Sequence, residues 1–121
     1  MSAAVLMYNL SPEKETALRA LGEKLSLHMV SVPPQRHGCT IGQVLRGEGG
    51  DCAAKPALRE EMLVMDLPGV LLDFFLQGMY QAGVNVSLKA ALTPTNVSWT
   101  APALQQELQR ERQEFLRRGM K

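Results

Sequence analysis

Two short, unbroken apolar runs, Ala4-Val5-Leu6-Met7-Tyr8 and Met62-Leu63-Val64-Met65, constrain the fold more than any other feature of the chain. A strand with one face in water alternates apolar and polar residues, so a continuous run of this length reads as a strand covered on both faces. Each run leads into a helix signal, and each helix signal leads into a segment that does alternate. The chain therefore reads as two β-α-β halves, each a right-handed crossover between parallel strands.

The first half is signposted in detail. Ser11 offers a capping hydroxyl, Pro12 suits the first helical position, and Glu13 and Glu15 favour the positive end of the helix dipole. Ala17, Leu18, Leu21 and Leu25 then recur at helical spacing as a core stripe. From Leu27 the pattern alternates, with Leu27, Met29 and Ser31 opposing His28, Val30 and Val32, until Pro33-Pro34 stops the strand. In the second half, Asp66 serves as a helix cap and Leu67-Pro68-Gly69 turns the chain into a helix with Leu71, Phe74, Phe75, Gly78, Met79 and Ala82 on its core face. Gly78 in that stripe implies a close approach of the helix to the sheet, and Gly83 is the expected C-terminal cap. Val84, Val86, Leu88, Ala90 and Leu92 alternate with polar residues as a half-buried strand.

Between the halves lies an irregular insertion at about 33–61, rich in Gly, Pro and charge. It holds one short helix, in which Thr40 and Gln43 form a capping box and Gly47 ends the turn, followed by a mobile stretch from Gly47 to Asp51. After the fourth strand, Thr100 caps a last amphipathic helix with Leu104, Leu108, Phe115 and Leu116 on one side. Glu114 and Arg118 have ion-pair spacing there, and Arg117, Arg118 and Lys121 complement the negative helix end.

Continuous apolar strands want the middle of a sheet, and alternating strands suit its edges. Two architectures meet that condition. In a ferredoxin-like split β-α-β sandwich of α+β type, the halves pair antiparallel, the two long helices cover one face, and the last helix or a second subunit covers the other. In a four-stranded parallel doubly wound sheet, the short helix after Thr40 is a crossover on the opposite face. The first is preferred, because about two turns of helix are short for a crossover.

A length of 121 residues suits a single α/β domain spanning 1–121, and 45% hydrophobic against 21% charged residues is ordinary globular composition. With 13 basic against 12 acidic residues there is no long-range field to draw nucleic acid or an acidic membrane, so neither is expected as a partner. The start of the chain lacks a basic n-region, and no segment approaches the roughly 20 apolar residues of a spanning helix, so the cytoplasm is the expected location. Two cysteines in the least regular stretch, Cys39 and Cys52, argue against a disulfide framework.

Four chemical constellations merit weighing. Lys89 projects opposite Leu88 on the fourth strand, and Thr93, Thr95 and Asn96 follow it with hydroxyl, amide and turn N–H groups, a chemistry suited to an anionic or carbonyl-bearing ligand. The plainer reading of the same residues is a Pro-Asn turn packed by Trp99, with Lys89 solvated. His28, His37, Cys39, Asp51 and Cys52 are of metal-ligand type, yet their spacing fits no standard zinc site, and no metal or other cofactor is expected. Asp66 lacks the acidic pair that a phosphoacceptor needs after the first strand, where Asn9 stands. Gly47-Glu48-Gly49-Gly50 lacks the lysine and following helix of a phosphate loop.

The segment Glu61-Met62-Leu63-Val64-Met65, the helix through Gly83, and the string Leu88-Lys89-Ala90-Ala91-Leu92-Thr93-Pro94-Thr95-Asn96 with Trp99 resemble an uncharacterised bacterial family known only as a domain of unknown function. The likeness covers about half the chain, with a looser echo in Leu6-Met7-Tyr8-Asn9. It implies a small bacterial protein in which Lys89, Thr93, Pro94, Asn96 and Trp99 belong to a pattern, and it implies no activity. Pro33 to Ala57 departs from that pattern.

The expected function is accordingly a noncatalytic ligand- or partner-binding, regulatory module. A small-molecule ligand beside Lys89, Thr93, Thr95 and Asn96 and a homo-oligomer through the last helix or a sheet face are the partners considered. The alternative is a small-molecule enzyme using Lys89, Thr93 and Asn96.

Overall fold

A computed structural model describes residues 3–52 and 58–119. It contains strands β1 (Ala4–Tyr8), β2 (His28–Val32), β3 (Met62–Asp66) and β4 (Leu88–Ala91), with helices α1 (Pro12–Lys24), α2 (Ile41–Arg46), α3 (Gly69–Ala82) and α4 (Ala101–Gly119). Single 3₁₀ turns occupy Pro34–Arg36 and Asn96–Ser98. The part of the 33–61 insertion at 53–57, and Lys121, lie outside the described residues.

The strands form one open four-stranded mixed α/β sheet in the order β2-β1-β3-β4. As the apolar runs demand, β1 and β3 are central, and every residue of Ala4–Tyr8 and of Met62–Met65 is buried. β1 runs parallel to β2 and antiparallel to β3, with Leu6 opposite Val64, and β3 runs parallel to β4 with Val64 opposite Ala90. The antiparallel junction excludes the all-parallel doubly wound sheet. The split order is corrected too: the two strands of each half are immediate neighbours, with no strand of the other half inserted between them. The halves meet along their most apolar strands instead, which puts both continuous runs at the centre.

The side-chain period of two divides these strands between two cores. Val5, Met7, Leu63 and Met65 meet Leu18 of α1 and Phe75 and Met79 of α3. Leu6, Tyr8, Met62 and Val64 meet Ile41 and Val44 of α2 and Ala101 and Leu104 of α4. The long helices thus share one face, and the short and last helices cover the other. No described helix is long and apolar enough to cross a membrane.

Local signals translate into local structure at most helix ends. Ser11 accepts from the Lys14 amide, Thr40 and Gln43 form the reciprocal box, Thr100 accepts from Ala103, and Gly47 and Gly83 end α2 and α3 at φ of 68° and 71°. α3 departs from expectation in three respects. Its buried stripe is Phe75 and Met79 flanked by Leu71, Leu72 and Leu76, which leaves Phe74 54% exposed and Ala82 outside. Its N-cap is Pro68 with no side-chain cap, and Asp66 is the last residue of β3. Gly78 admits α1 rather than the sheet, since a Cβ there would lie 2.6 Å from Leu21 Cδ1.

Candidate functional site

The second half ends in a turn built on a single side chain. Asn96 is buried; its Oδ1 accepts from the Thr93 amide at 2.9 Å and its Nδ2 donates to the Ala91 carbonyl at 3.0 Å. Its own backbone amide donates to Thr93 Oγ1 at 3.0 Å. Thr93 and Asn96 therefore close a reciprocal pair much like a helix capping box, and Val97 N donates to Thr93 O to complete the turn. Trp99 packs against the α4-side core, and its carbonyl accepts from Ile41 N at 2.9 Å, tying this turn to α2.

Lys89 lies mid-way along the exposed edge strand β4, and its ammonium donates to the Val86 carbonyl at 3.0 Å. With Thr93, Thr95 and Asn96 it walls a groove of ≈ 410 Å³ between β4 and α4, the far wall carrying Leu108 and Glu111. The same groove continues along α4 past Leu88 and Arg112 to Phe115, with ≈ 440 Å³ of further space. On the other side of Lys89, Leu76, Met79, Tyr80 and Val84 line a third hollow of ≈ 490 Å³. The four residues proposed from the sequence are thus brought to one groove, but the polar groups of Lys89, Thr93 and Asn96 are bonded within the turn and strand.

Glu107, Glu111, Leu104 and Leu108 of α4 complete that groove. Sequence reasoning placed Leu104 and Leu108 on the apolar side of the last helix and passed over Glu107 and Glu111. The interruption of the Leu104, Leu108, Phe115 stripe by Glu111 was the available signal, because a carboxylate there faces the same side as the leucines.

A second polar network was not anticipated. Lys14 Nζ lies 2.7 and 2.9 Å from the two Glu61 carboxylate oxygens and donates to Asn85 O at 2.5 Å. Glu61 also accepts from the Ser87 amide and hydroxyl at 3.2 and 3.3 Å. These bonds tie α1 of the first half to the start of β3 and β4 in the second, a task that accounts for every contact.

The residues of metal-ligand type, for which no metal was expected, meet in another way. Cys39 and Cys52 form a disulfide with their Cα atoms 5.0 Å apart, which corrects the expectation from cysteine number. The backbone brings them together: Gly38 N donates to Cys52 O at 2.6 Å and Cys52 N to Gln35 O at 2.7 Å. A contact across a sequence separation of 13, with α2 between the two cysteines, leaves no periodic trace. His37 is buried beside them with Nε2 2.9 Å from Val32 O, its ring centroid 5.4 Å from that of Tyr8. Burial pushes the Tyr8 phenol well above its ordinary pKa, opposed in part by the Arg36 charge. Among the described residues no three His, Cys, Asp or Glu side chains converge as metal ligands do.

With this geometry in hand, comparison with known proteins adds one result. Residues 61–115 match the family described as a domain of unknown function (DUF3783). The matched segment holds β3, α3, β4, the Asn96 turn and most of α4, so it spans the groove and omits β1, α1 and β2. No curated protein and no solved structure matches the chain.

Proposed function

We propose that the chain is a noncatalytic binding module, a single domain whose ligand or partner docks in the groove between β4, the Asn96 turn and α4. One observation carries this reading: Lys89, Thr93 and Asn96 spend their polar groups on the chain itself, while the groove they wall is lined by Trp99, Leu104 and Leu108. A catalytic lysine, threonine or amide must meet substrate with its proton or lone pair. A docking surface needs apolar area and a few charges at its rim, which Glu107 and Glu111 supply. The small-molecule enzyme at Lys89, Thr93 and Asn96 is the weaker reading on the same ground.

The test is a titration of dilute protein with anilinonaphthalene sulfonate, an apolar anion, read by energy transfer from Trp99, the chain's single tryptophan. Saturable transfer that Leu108→Arg weakens at least tenfold is the expected result. Transfer indifferent to Leu108→Arg, or turnover in a metabolite screen that Lys89→Ala abolishes, overturns the reading.

A further inference from the structure

The natural occupant of the groove can be argued from α4. Its buried residues are Ala101, Leu104 and Gln105, all in its first turns, and residues 111–119 are exposed. Those nine residues extend the helix by about 13 Å at 1.5 Å per residue. The apolar stripe does not stop where the burial stops. Leu104 is buried and Leu108 half-buried, but Phe115, seven residues beyond Leu108 and therefore on the same face, is 75% exposed, and Leu116 is 56% exposed. Large apolar side chains continuing a core stripe into solvent mark a contact surface more often than they occur by accident.

The charges along α4 say which surface it fits. Arg110 pairs with Glu107 and with Glu114, and Arg112 reaches Glu60 at 2.8 Å. Glu111 in the middle and Arg117 and Arg118 at the end form no ion pair among the described residues. The helix thus runs from an acidic middle to a basic end, and a second α4 laid antiparallel beside it complements that gradient at both ends. In that register Leu108 faces Leu116 of the second copy, Phe115 enters the groove beside Leu108 of the second copy, and Arg117 and Arg118 come alongside the stretch holding Glu107 and Glu111. One two-fold axis satisfies both ends at once, as an isologous interface requires. Lys89 meanwhile places a charge in the middle of the β4 edge, the usual guard against strand addition, so helix pairing is left as the contact.

We propose that this groove is filled by α4 of a second copy of the chain, packed antiparallel across a two-fold axis. The proposal rests on the reading of the β4–α4 groove as a docking surface. Because Phe115 and Leu116 are exposed in one chain, changing them leaves the fold intact.

Light scattering after size exclusion should give twice the mass of one chain, and Phe115→Glu with Leu116→Glu should give the monomer with an unchanged far-UV circular dichroism spectrum. The freed groove is read in Arg117→Glu with Arg118→Glu, which leaves the groove lining untouched: that variant should bind anilinonaphthalene sulfonate at concentrations where the paired wild type does not. Arg117→Glu with Arg118→Glu, and separately Glu107→Arg with Glu111→Arg, should each weaken the dimer at least tenfold, and mixing the two proteins should restore it. A monomeric wild type whose Trp99 still senses the dye overturns the dimer and leaves the docking groove standing. Absence of the dye signal in monomeric Arg117→Glu/Arg118→Glu removes the groove as well. A dimer indifferent to Phe115→Glu and Leu116→Glu, or charge reversals that mixing does not rescue, overturns the antiparallel pairing.

Discussion

The two edges of the sheet are built from equivalent units, a strand following an α-helix in a β-α-β half, yet they are finished in opposite ways. Beside β2, the connection folds back as a buttress. Arg19 donates to Met29 O at 3.3 Å, Ser31 to Glu15 at 2.7 Å, and His37 holds Val32 O at the strand's end. Arg36 donates to the carbonyls of Gly50 and Glu48, so the Gly47–Asp51 stretch expected to be mobile is tied down, and the Cys39–Cys52 link closes the loop. Beside β4 the described residues supply a compact turn, the Lys89–Val86 bond and the Glu61 bonds to Ser87 at the strand's start, and they leave grooves on either side of the strand. Local polar groups are used to close the first edge and merely to shape the second. A loop that closes an edge is a stability device, whereas an open edge flanked by apolar hollows keeps surface available for contact.

The largest loss of stability comes from the closed edge. Replacing Cys39 and Cys52 together by Ser, or reducing them, releases a loop of 13 residues and should cost about 3 kcal/mol by the loop-entropy relation. Urea unfolding of the oxidised and Ser/Ser proteins measures it. An unchanged midpoint would mean that the buttress is decorative. Next comes Asn96→Ala, which deletes two bonds of a buried side chain and leaves the Thr93 amide and the Ala91 carbonyl to find water. About 2 kcal/mol is expected, with amide exchange rising over residues 92–99 and not at β2. Lys89→Ala, on the open edge, should stay within about 0.5 kcal/mol of wild type. A larger loss would show that the Val86 bond matters to the fold.

How far the sequence discloses all this depends on the range of the interactions. The central strands, the caps at Ser11, Thr40 and Thr100, and the glycine ends of α2 and α3 are short-range matters, and each is legible in a window of a few residues. Strand adjacency is not: whether β3 lies beside β1 or between β1 and β2 leaves the burial pattern of each strand unchanged, so periodicity cannot separate a split order from the observed one. Phe74 was misplaced because α3, lying on the sheet beside α1, turns Phe75 and Met79 into the core and Gly78 toward Leu21, which leaves Phe74 outside the buried arc. The groove was half legible. Lys89, Thr93, Thr95 and Asn96 could be gathered from one strand and its turn, but the opposite wall comes from α4, and no local spacing foretells that Glu107 and Glu111 line the same groove. The expected Glu114–Arg118 pair is replaced by Glu114–Arg110 at 3.4 Å, an equally good helical spacing that propensity does not rank.

The smallest effect probes how α4 is moored beside the open edge. Glu60 accepts from Gln109 at 2.8 Å and from Arg112 at 3.0 and 2.8 Å, while Gln105 donates to the Glu60 carbonyl at 2.9 Å. The Arg112 and Gln109 hydrogen bonds hold the Glu60 carboxyl below its usual value of 4.5. A carboxyl whose pKa is lower folded than unfolded contributes stability that is present above the unfolded value and lost as pH falls through the folded one, so the contribution fades only below pH 4.5. Because the pair lies at the surface, solvent and salt screen it and the global loss should be slight. Amide-exchange protection along 109–119, the observed rate set against the intrinsic rate at the same pH, is the sensitive readout: it should fall on acidification below that value, and Glu60→Gln should show the lowered protection already at neutral pH, with no further acid response there. The β2 edge, whose bonds are mostly to backbone carbonyls, should show no such acid step. Were both regions to loosen together, the two edges would belong to one cooperative unit and the distinction between a closed and an open edge would be one of geometry alone.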